Sequence, residues 1–448
     1  MVDILRSQAR RPRIGLFGLG KSNLGVLELL RSSIPCFELT LRSDKPITSD
    51  INADRIYTGK SAYAEINEDV LFLSPSVRRD RHELTAAQKR GTVLASDAEL
   101  FFSLFGGRVY AVTGSDGKST TTYLISELLK ASGISAVPAG NFGRSLSSLV
   151  KSDATVVAEL SSFQLQYLTP RSHSAVITNV TPNHLNWHTS IAEYTNAKLN
   201  ILKNAERVTV DYDSELLREA LPKERLFAAV SSERDYGELK KAVDAEHYLT
   251  VRESTVYLNG SPYFSTHDAI RRESYNVKNY MLAAAATLGA VAPQAVTAVL
   301  RDFRGLAHRA EQVASSQGFT YINSSIDSTP ERTLKTLRAL SGKTAVIICG
   351  MSKGLALDGL ANELPSLTSG AVLMGDIGRG LYAILTDKAR DYSFGYAENM
   401  RDAIALAESY LPSGGNVVLS PAGTSFDKYE NFEMRGEDFR RSVLSHIL

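Results

Sequence analysis

The stretch Gly114-Ser115-Asp116-Gly117-Lys118-Ser119-Thr120-Thr121 decides the fold class of this 448-residue chain. An apolar run over residues 109–112 precedes it and a helical pattern over residues 123–129 follows it, which predicts a strand, a phosphate loop and a helix. The glycines let the chain turn its N–H groups toward phosphate oxygens, and the start of the helix adds a favourable potential. A lysine at this place can pair with the outer phosphates of ATP, and the serine after it can reach Mg²⁺.

Two positions depart from the full phosphate-loop pattern. Val112 stands where the pattern has its first glycine, and Asp116 places a negative charge in a cradle for phosphate. The alternative interpretation is a glycine-rich turn between a strand and a helix. The placement of the whole stretch between these two elements favours nucleotide binding.

The length, charge and cysteine content limit the class of protein. The chain is too long for one hydrophobic core and fits two to four domains. Lys and Arg number 50 against 49 Asp and Glu, so no basic field indicates a nucleic-acid partner. No apolar stretch is long enough to cross a bilayer, and Cys36 and Cys349 lie in apolar runs, as expected of buried thiols in a reducing compartment. We therefore expect a cytoplasmic protein with no membrane partner.

Strands alternate with helical patterns along the chain, which predicts an α/β fold. The simplest division is three domains in series. We expect a Rossmann-like N-terminal domain over residues 1–96, a central ATP-binding domain of the phosphate-loop type over residues 97–305, and a Rossmann-like C-terminal domain over residues 306–448. The more polar region 208–275 predicts a β-hairpin insertion in the central domain, around Asn259-Gly260.

Gly18-Leu19-Gly20 follows the first predicted strand and can make a tight turn close to a diphosphate. Asn23 stands where the dinucleotide fingerprint has its third glycine, so the turn only weakly indicates NAD. It favours some nucleotide or diphosphate near the point where the strand order reverses.

Two further strands end in residues that can bind a metal. Glu159 ends the apolar run 155–158, and His184 follows the run 175–178, so both are predicted at the carboxyl edge of the sheet. Together with Lys118 they favour a Mg²⁺ site, whereas singly Glu159 could start a helix and His184 could cap or pack. His188 is better explained by a structural role. From the residues alone, Lys198 is a solvated lysine on a predicted helix.

These motifs together resemble the Mur ligase family of ATP-dependent amide ligases, which build peptidoglycan precursors. The similar segments follow the order G-S-D-G-K-S-T, E-L-S-S-F-Q-L, N-V-T-P-N-H-L-N-W-H and Y-x-x-A-K, with a G-N-F-G turn at Gly140 to Gly143. The stretch from Leu419 to Gly436 is most similar to the branch that adds D-glutamate to UDP-N-acetylmuramoyl-L-alanine. The resemblance runs from about Gly18 to Gly436 and thus covers essentially the whole chain.

The resemblance implies a reaction and its cofactors. The γ-phosphoryl group of ATP would pass to the carboxylate of UDP-N-acetylmuramoyl-L-alanine, and the amine of D-glutamate would attack the acyl phosphate. Two Mg²⁺ ions would assist: Ser119 and Glu159 would hold the first, and Glu159 with His184 the second. Lys198 matches the lysine that CO₂ converts to a carbamate in this family, which would give the second metal an oxygen ligand. A monomer is expected.

The resemblance also assigns residues to each substrate. Lys118, Asn141, Glu159, His184 and Lys198 would be catalytic. ATP would be bound by Gly114, Ser115, Asp116, Gly117, Lys118, Ser119, Thr120, Asn276, Asn279 and Arg309. The UDP substrate would contact Gly18, Leu19, Gly20, Lys21, Thr40, Arg42 and Ser74, and the amino acid Lys353, Ser425, Phe426 and Phe432.

Several positions depart from the family pattern. Asp116 and Asn186 replace an asparagine and an aspartate, Tyr275 replaces a histidine, and Ser324 stands where an aspartate lies by the ribose. The departures affect nucleotide affinity and pocket geometry more than the reaction. Two alternatives stay open: a related ligase with a different acceptor, such as another amino acid or a folate-like substrate, and a degenerate ligase that binds nucleotide and acts as a scaffold.

Overall fold

The computed structural model describes residues 1, 3, 5, 11–47, 50–184, 187–222, 224–352, 355–388 and 391–448. Over these residues the chain forms two compact units, residues 1–303 and residues 304–448. The division into three domains, with the boundaries given above, stays a prediction.

The first sheet of the first unit has five parallel strands in the order β3-β2-β1-β4-β5. They are β1 (Arg13–Phe17), β2 (Glu38–Ser43), β3 (Arg55–Thr58), β4 (Val70–Leu73) and β5 (Val93–Ala95), and the helices are α1 (Lys21–Ser33), α2 (His82–Lys89) and α3 (Asp97–Leu104). The strand order reverses between β1 and β4, so the Gly18-Leu19-Gly20 turn after β1 lies at the switch point where open α/β sheets bind ligands.

The second sheet has nine strands in the order β16-β15-β14-β13-β12-β10-β6-β8-β7. The strands are β6 (Val109–Thr113), β7 (Ala136–Gly140), β8 (Thr155–Glu159), β10 (Ser174–Ile177), β12 (Val208–Asp211), β13 (Leu226–Ser231), β14 (Ala245–Arg252), β15 (Thr255–Leu258) and β16 (Ser261–Ser265), while β9 (Arg171–Ser172) and β11 (Asn204–Ala205) pair separately. The helices are α4 (Lys118–Ala131), α5 (Ser162–Leu165), α6 (Ile191–Leu199), α7 (Glu215–Ala220), α8 (Tyr236–Ala242), α9 (Ser274–Ala286) and α10 (Pro293–Asp302). Because β6 lies between β8 and β10, the carboxyl ends of these three strands are neighbours.

The predicted hairpin insertion is correct only in part. Strands β14, β15 and β16 pair antiparallel around Asn259-Gly260, as expected. Strands β12 and β13 instead extend the parallel sheet, and α7 and α8 connect them to their neighbours. The prediction was wrong for this part because short strands with one polar end resemble hairpin strands in sequence.

The second unit carries a six-stranded sheet in the order β17-β18-β22-β19-β20-β21, parallel except for β17. Its strands are β17 (Glu311–Ser316), β18 (Phe319–Asn323), β19 (Thr344–Cys349), β20 (Gly370–Leu373), β21 (Phe394–Tyr396) and β22 (Gly415–Ala422). Its helices are α11 (Pro330–Ala339), α12 (Asp358–Leu367), α13 (Gly375–Lys388), α14 (Met400–Ser409) and α15 (Phe432–Ile447), and they cover both faces with apolar side chains.

The two cysteines differ in environment. Cys349 is buried at the end of β19, as predicted, whereas Cys36 is exposed, which corrects the expectation of two buried thiols. Cys36 lies just before β2, where the chain is still outside the core. Among the described residues, no helix is long and apolar enough to cross a membrane.

Candidate active site

The phosphate loop connects β6 to α4 and needs its glycines. Gly114 has φ +151° and Gly117 has φ +79°, which side chains rarely allow. A Cβ atom on Gly114 would lie 1.8 Å from Thr178 Oγ1, and one on Gly117 would lie 2.4 Å from Asn279 Oδ1. Both glycines are therefore required by backbone conformation and by close neighbours.

Asn179, directly after β10, supports the loop. Its Oδ1 accepts hydrogen bonds from the N–H groups of Ser115 at 3.2 Å and Asp116 at 2.9 Å. The Ser115 hydroxyl lies 2.7 Å from the Tyr194 hydroxyl of α6. Sequence reasoning did not assign Asn179 or Tyr194 to the site. The sequence indicated these two residues only through their places in the N-V-T-P-N-H and Y-x-x-A-K segments.

Two lysine amines lie at the base of the loop. Lys118 Nζ donates to the carbonyl oxygens of Gly114 at 2.9 Å and Ser115 at 2.8 Å. Lys198 Nζ, on α6, donates to Gly114 O at 2.6 Å, and its residue is 1% exposed. Burial lowers the pKa of Lys198 well below its usual value, and the nearby Lys118 cation lowers it further. Lys198 is thus a buried amine with a lowered pKa, not a solvated surface lysine.

Glu159 ends β8 at the same edge of the sheet and is 1% exposed. Its Oε1 accepts a hydrogen bond from Asn141 Nδ2 at 2.7 Å. Its Oε2 is buried and has no hydrogen-bond partner among the described residues. A buried carboxylate oxygen without a donor is costly unless a cation binds it.

His184 follows β10, is exposed, and has φ +55°. Its ring lies 5.1 Å from that of Phe163 and 6.4 Å from that of Tyr194. His188 is buried instead: its Nε2 lies 2.9 Å from Ser162 Oγ, and burial lowers its pKa to about 4. This packing agrees with the structural role expected of His188. The metal-ligand role of His184 stays a prediction.

The described residues contain no group of three or more His, Cys, Asp and Glu side chains that could hold a metal ion. The predicted ligand set includes only two such side chains, Glu159 and His184. Its other members are Ser119, which is buried in the first turn of α4, and Lys198 as a carbamate.

Two asparagines predicted to bind adenosine lie on α9 and are buried. Asn279 Oδ1 accepts a hydrogen bond from Thr121 Oγ1 at 3.3 Å, which joins α9 to α4. Asn276 Nδ2 donates to Glu273 Oε2 at 2.9 Å. Tyr275, in place of the family histidine, is exposed. Arg309 belongs to the second unit and is also exposed.

Residues predicted for the UDP substrate surround the turn after β1. Gly18 has φ +80°, and a Cβ there would lie 3.0 Å from the Cβ of Ser74, which follows β4. Gly20 caps the N-terminus of α1, and Lys21 Nζ donates to Gly143 O at 2.7 Å. Leu19 is half-buried at the same turn. The sequence-predicted residues at this turn are therefore close together.

Arg42 at the end of β2 is 1% exposed. Its guanidinium pairs with Glu68 at 2.7 Å and donates to the carbonyl oxygens of Ala62, Ala64 and Glu65. A contact between Arg42 and a uridine diphosphate would require some of these acceptors to be exchanged. Thr40, on the same strand, is also buried.

The residues predicted to bind the amino acid belong to the second unit. Lys353 lies outside the described residues. Ser425 is buried, Phe426 is 68% exposed, and Phe432 begins α15 with its carbonyl oxygen 2.8 Å from Ser325 Oγ. Their roles stay predictions.

Relatives with known names match this chain. Residues 112–287 match the family model of the Mur ligase middle domain. The UDP-N-acetylmuramoylalanine--D-glutamate ligase of Clostridium beijerinckii is 33% identical over 453 residues, which cover 97% of this chain and 96% of the relative. This chain belongs to the Mur ligase family. A Mur ligase of the same printed name from Acetivibrio thermocellus is 34% identical and covers 84% of this chain and 83% of the relative.

Solved Mur ligase structures share the fold. The UDP-N-acetylmuramate-alanine ligase MurC of Thermotoga maritima aligns with a TM-score of 0.57 at 18% identity, covering 97% of this chain and 100% of that one. The MurF ligase of Thermotoga maritima in complex with ADP aligns with a TM-score of 0.53 at 14% identity, covering 100% of this chain and 99% of that one. The predicted α/β fold and the resemblance to the Mur ligase family are confirmed.

Proposed function

We propose that this protein is an ATP-dependent ligase that joins D-glutamate to UDP-N-acetylmuramoyl-L-alanine in peptidoglycan precursor synthesis. The observation that carries the proposal is the near full-length similarity to ligases named for this reaction, at 33% identity over 97% of the chain. The cluster of the partly buried Lys118 with the buried Glu159 and Lys198 at one sheet edge supports it, because phosphoryl transfer to a carboxylate needs concentrated charge.

The reaction would take place in two steps. A carboxylate oxygen of the UDP substrate attacks the γ-phosphorus of ATP, ADP leaves, and an acyl phosphate forms. The amine of D-glutamate then attacks the acyl carbon, phosphate leaves, and the nitrogen gives up a proton as the amide forms. Lys118 would offset the repulsion between the carboxylate and the γ-phosphate in the first step.

The described residues fit a magnesium ion. Glu159 Oε2 is a buried oxygen that lacks a donor, and Ser119 sits at the first turn of α4, beside the place of the outer phosphates. We propose that Ser119 and Glu159 hold one ion and that Glu159, His184 and a carbamate on Lys198 hold a second. Bound magnesium would neutralise charge on the transferring phosphoryl group.

A carbamate on Lys198 is part of the proposal. The amine nitrogen must be uncharged to add to the carbon of CO₂, and the adduct then loses a proton. Burial of Lys198 and the nearby Lys118 cation favour that uncharged amine. The carbamate would replace the amine with an anionic oxygen ligand for magnesium.

The remaining assignments complete the proposal. The turn after β1, with Lys21, Thr40, Arg42 and Ser74, would bind the UDP part. Asn276, Asn279 and Arg309 would bind adenosine, and Lys353, Ser425, Phe426 and Phe432 would bind D-glutamate. We further propose that the protein acts in the cytoplasm, since the reaction consumes ATP and small-molecule substrates. We also propose that it is a monomer.

A phosphate-release assay tests the function. ATP, UDP-N-acetylmuramoyl-L-alanine and one amino acid at a time are supplied with Mg²⁺. We expect release only with all three substrates and a clear preference for D-glutamate, because the acyl phosphate should be shielded until the amine arrives. Equal turnover with L-glutamate or lysine would reject the assignment of the acceptor. No substrate-dependent release with any amino acid would reject ligase activity.

A further inference from the structure

The loop that follows β4 lies against the segment that follows β10. We call residues 74–81 the β4 loop. Trp187 Nε1 donates a hydrogen bond to the carbonyl oxygen of Ser76 at 3.2 Å. The Arg78 guanidinium lies 4.8 Å from the centre of the Trp187 ring and donates to the Trp187 carbonyl oxygen. The loop that begins with Ser74 is therefore in direct contact with the segment that carries His184.

Arg78 also reaches the helix that carries Lys198. Its Nη2 lies 3.2 Å from Glu193 Oε1, in the first turn of α6. Glu193 in turn accepts hydrogen bonds from Gln166 Nε2 at 3.1 Å and Thr189 Oγ1 at 2.8 Å. The Arg78 and Glu193 side chains are 22% and 19% exposed, so water screens this pair less than a surface ion pair.

Arg78 also pairs with Asp80 on its own loop at 2.6 Å. One guanidinium thus connects three places: the β4 loop, the backbone next to His184, and the start of α6. If the β4 loop moved, the segment that contains Trp187 and the start of α6 would move with it, because planar guanidinium contacts of this kind fix orientation as well as distance.

We infer that Arg78 is a positioning residue that couples occupancy of the UDP-substrate loop to the placement of His184 and α6. The inference rests on the proposed function, which places the UDP substrate at Ser74 and magnesium at His184 and Lys198. Substrate binding and completion of the metal site would then be one event, so that ATP is not spent before the acceptor of the phosphoryl group has arrived.

Trp187 is the only tryptophan of the chain, so its emission reports this contact directly. The first experiment titrates the wild type with UDP-N-acetylmuramoyl-L-alanine, without ATP, and follows both fluorescence and binding by calorimetry. We expect the emission to change in step with binding. Binding without an emission change would overturn the coupling, whereas absence of binding would count against the proposed function.

The second experiment compares Arg78→Met with Arg81→Met, a charge-matched control on the same loop. The Arg81 guanidinium lies 3.9 Å from the centre of the Tyr63 ring and pairs with Glu83 at 3.9 Å. For Arg78→Met we expect kcat to fall by roughly 10- to 100-fold, as for a small misplacement of catalytic groups, with little change in the KM of the UDP substrate. The Trp187 response should be lost. Arg81→Met should keep both.

Glu193→Gln removes the charge of the other partner of this pair, which lies on α6. It also provides a second variant in case Arg78→Met does not fold. The double variant Arg78→Met/Glu193→Gln should lose no more kcat than the more affected single variant, because the two residues act together. Additive losses, or a raised KM with unchanged kcat, would overturn the inference. Failure of the proposed function appears separately, as wild-type protein that binds the UDP substrate but releases no phosphate with D-glutamate.

Discussion

Lys198 Nζ and Lys118 Nζ donate hydrogen bonds to the same acceptor, the carbonyl oxygen of Gly114, at 2.6 and 2.9 Å. Two charged amines so close together are unfavourable in a buried site, so the more buried one gives up its proton more easily. Lys118 begins α4 at the phosphate loop, while the more buried Lys198, whose pKa is lowered, is the candidate for modification.

The first prediction concerns a carbamate on Lys198. Wild-type protein incubated with ¹³C-labelled bicarbonate should give a carbamate signal in the NMR spectrum that Lys198→Ala lacks. Lys203→Ala removes an exposed lysine close to the end of α6 and should keep the signal. A signal that persists in Lys198→Ala would show that another amine is modified.

The second prediction is chemical rescue of Lys198→Ala. The variant should lose turnover, because it would lack the ligand proposed for the second magnesium ion, and acetate should restore part of it by supplying a carboxylate oxygen. Lys118→Ala removes a cation from the phosphate loop and should not respond to acetate. Near-normal activity of Lys198→Ala would contradict the proposed role of this lysine.

A third prediction concerns Asn141, whose side chain fixes Glu159 Oε1 at 2.7 Å. In Asn141→Ala the carboxylate can rotate, so we expect kcat to fall by about 10- to 100-fold and the Mg²⁺ concentration for half-maximal rate to rise. The readout is a magnesium titration of phosphate release. An unchanged magnesium dependence would mean that Asn141 acts only on the acyl phosphate or on packing.

The fourth prediction is that Asp116→Asn strengthens ATP binding. Asp116 is exposed in the phosphate loop, and its carboxylate repels the phosphates. Removal of one charge near the surface should lower the KM for ATP by roughly fivefold, equivalent to about 1 kcal/mol, and high salt should reduce the gain. Asp153→Asn, at an exposed position before β8, is the charge-matched control. A higher KM in Asp116→Asn would show that the carboxylate stabilises the loop.

The local pattern was enough to predict where these strands end and which residues follow them. Glu159 and the phosphate loop could be placed because apolar runs of four or five residues ended at them, and parallel strands share one carboxyl edge. The sequence also identified Lys198, but only through its family motif. Its burial next to Gly114 depends on how α6 packs, and the hydrophobic periodicity of the sequence does not show this packing.

Contacts between distant segments could not be predicted in the same way. Arg78 and Trp187 are 109 positions apart, and each is an ordinary residue of a polar loop in sequence. Asn179 accepts a hydrogen bond from the N–H group of Ser115, which is 64 positions away, and in the sequence it was identified only as part of a motif. Strands β12 and β13 were misjudged because their pairing with β10 and β14 is decided by the whole sheet. Tertiary packing, not local preference, decides these features.

The last prediction concerns Lys278, which lies on α9 between Asn276 and Asn279, the two asparagines predicted to bind adenosine. Its Nζ is 3.3 Å from Asp211 Oδ2 and 3.1 Å from Asp213 Oδ2, and both aspartates are buried. Lys278→Met removes the cation beside Asp211, whereas Asp213 keeps its ion pair with Arg234 at 3.0 Å, so the free energy of unfolding should fall by about 3 kcal/mol at pH 8.

The loss should become smaller at lower pH. Burial raises the pKa of Asp211 from 3.8 to about 6, so the folded state binds a proton more tightly than the unfolded chain. The cost of ionised Asp211 is therefore present above about pH 6 and is relieved as the pH falls from there toward its ordinary pKa of about 4. Without Lys278 this pKa should rise further. Urea unfolding at pH 8 and pH 5 measures the difference, with Lys130→Met, which breaks the exposed pair with Glu127, as the control that should cost about 0–1 kcal/mol at both. An equal loss for Lys278→Met at the two pH values would mean that protonation of Asp211 does not relieve the loss of the cation.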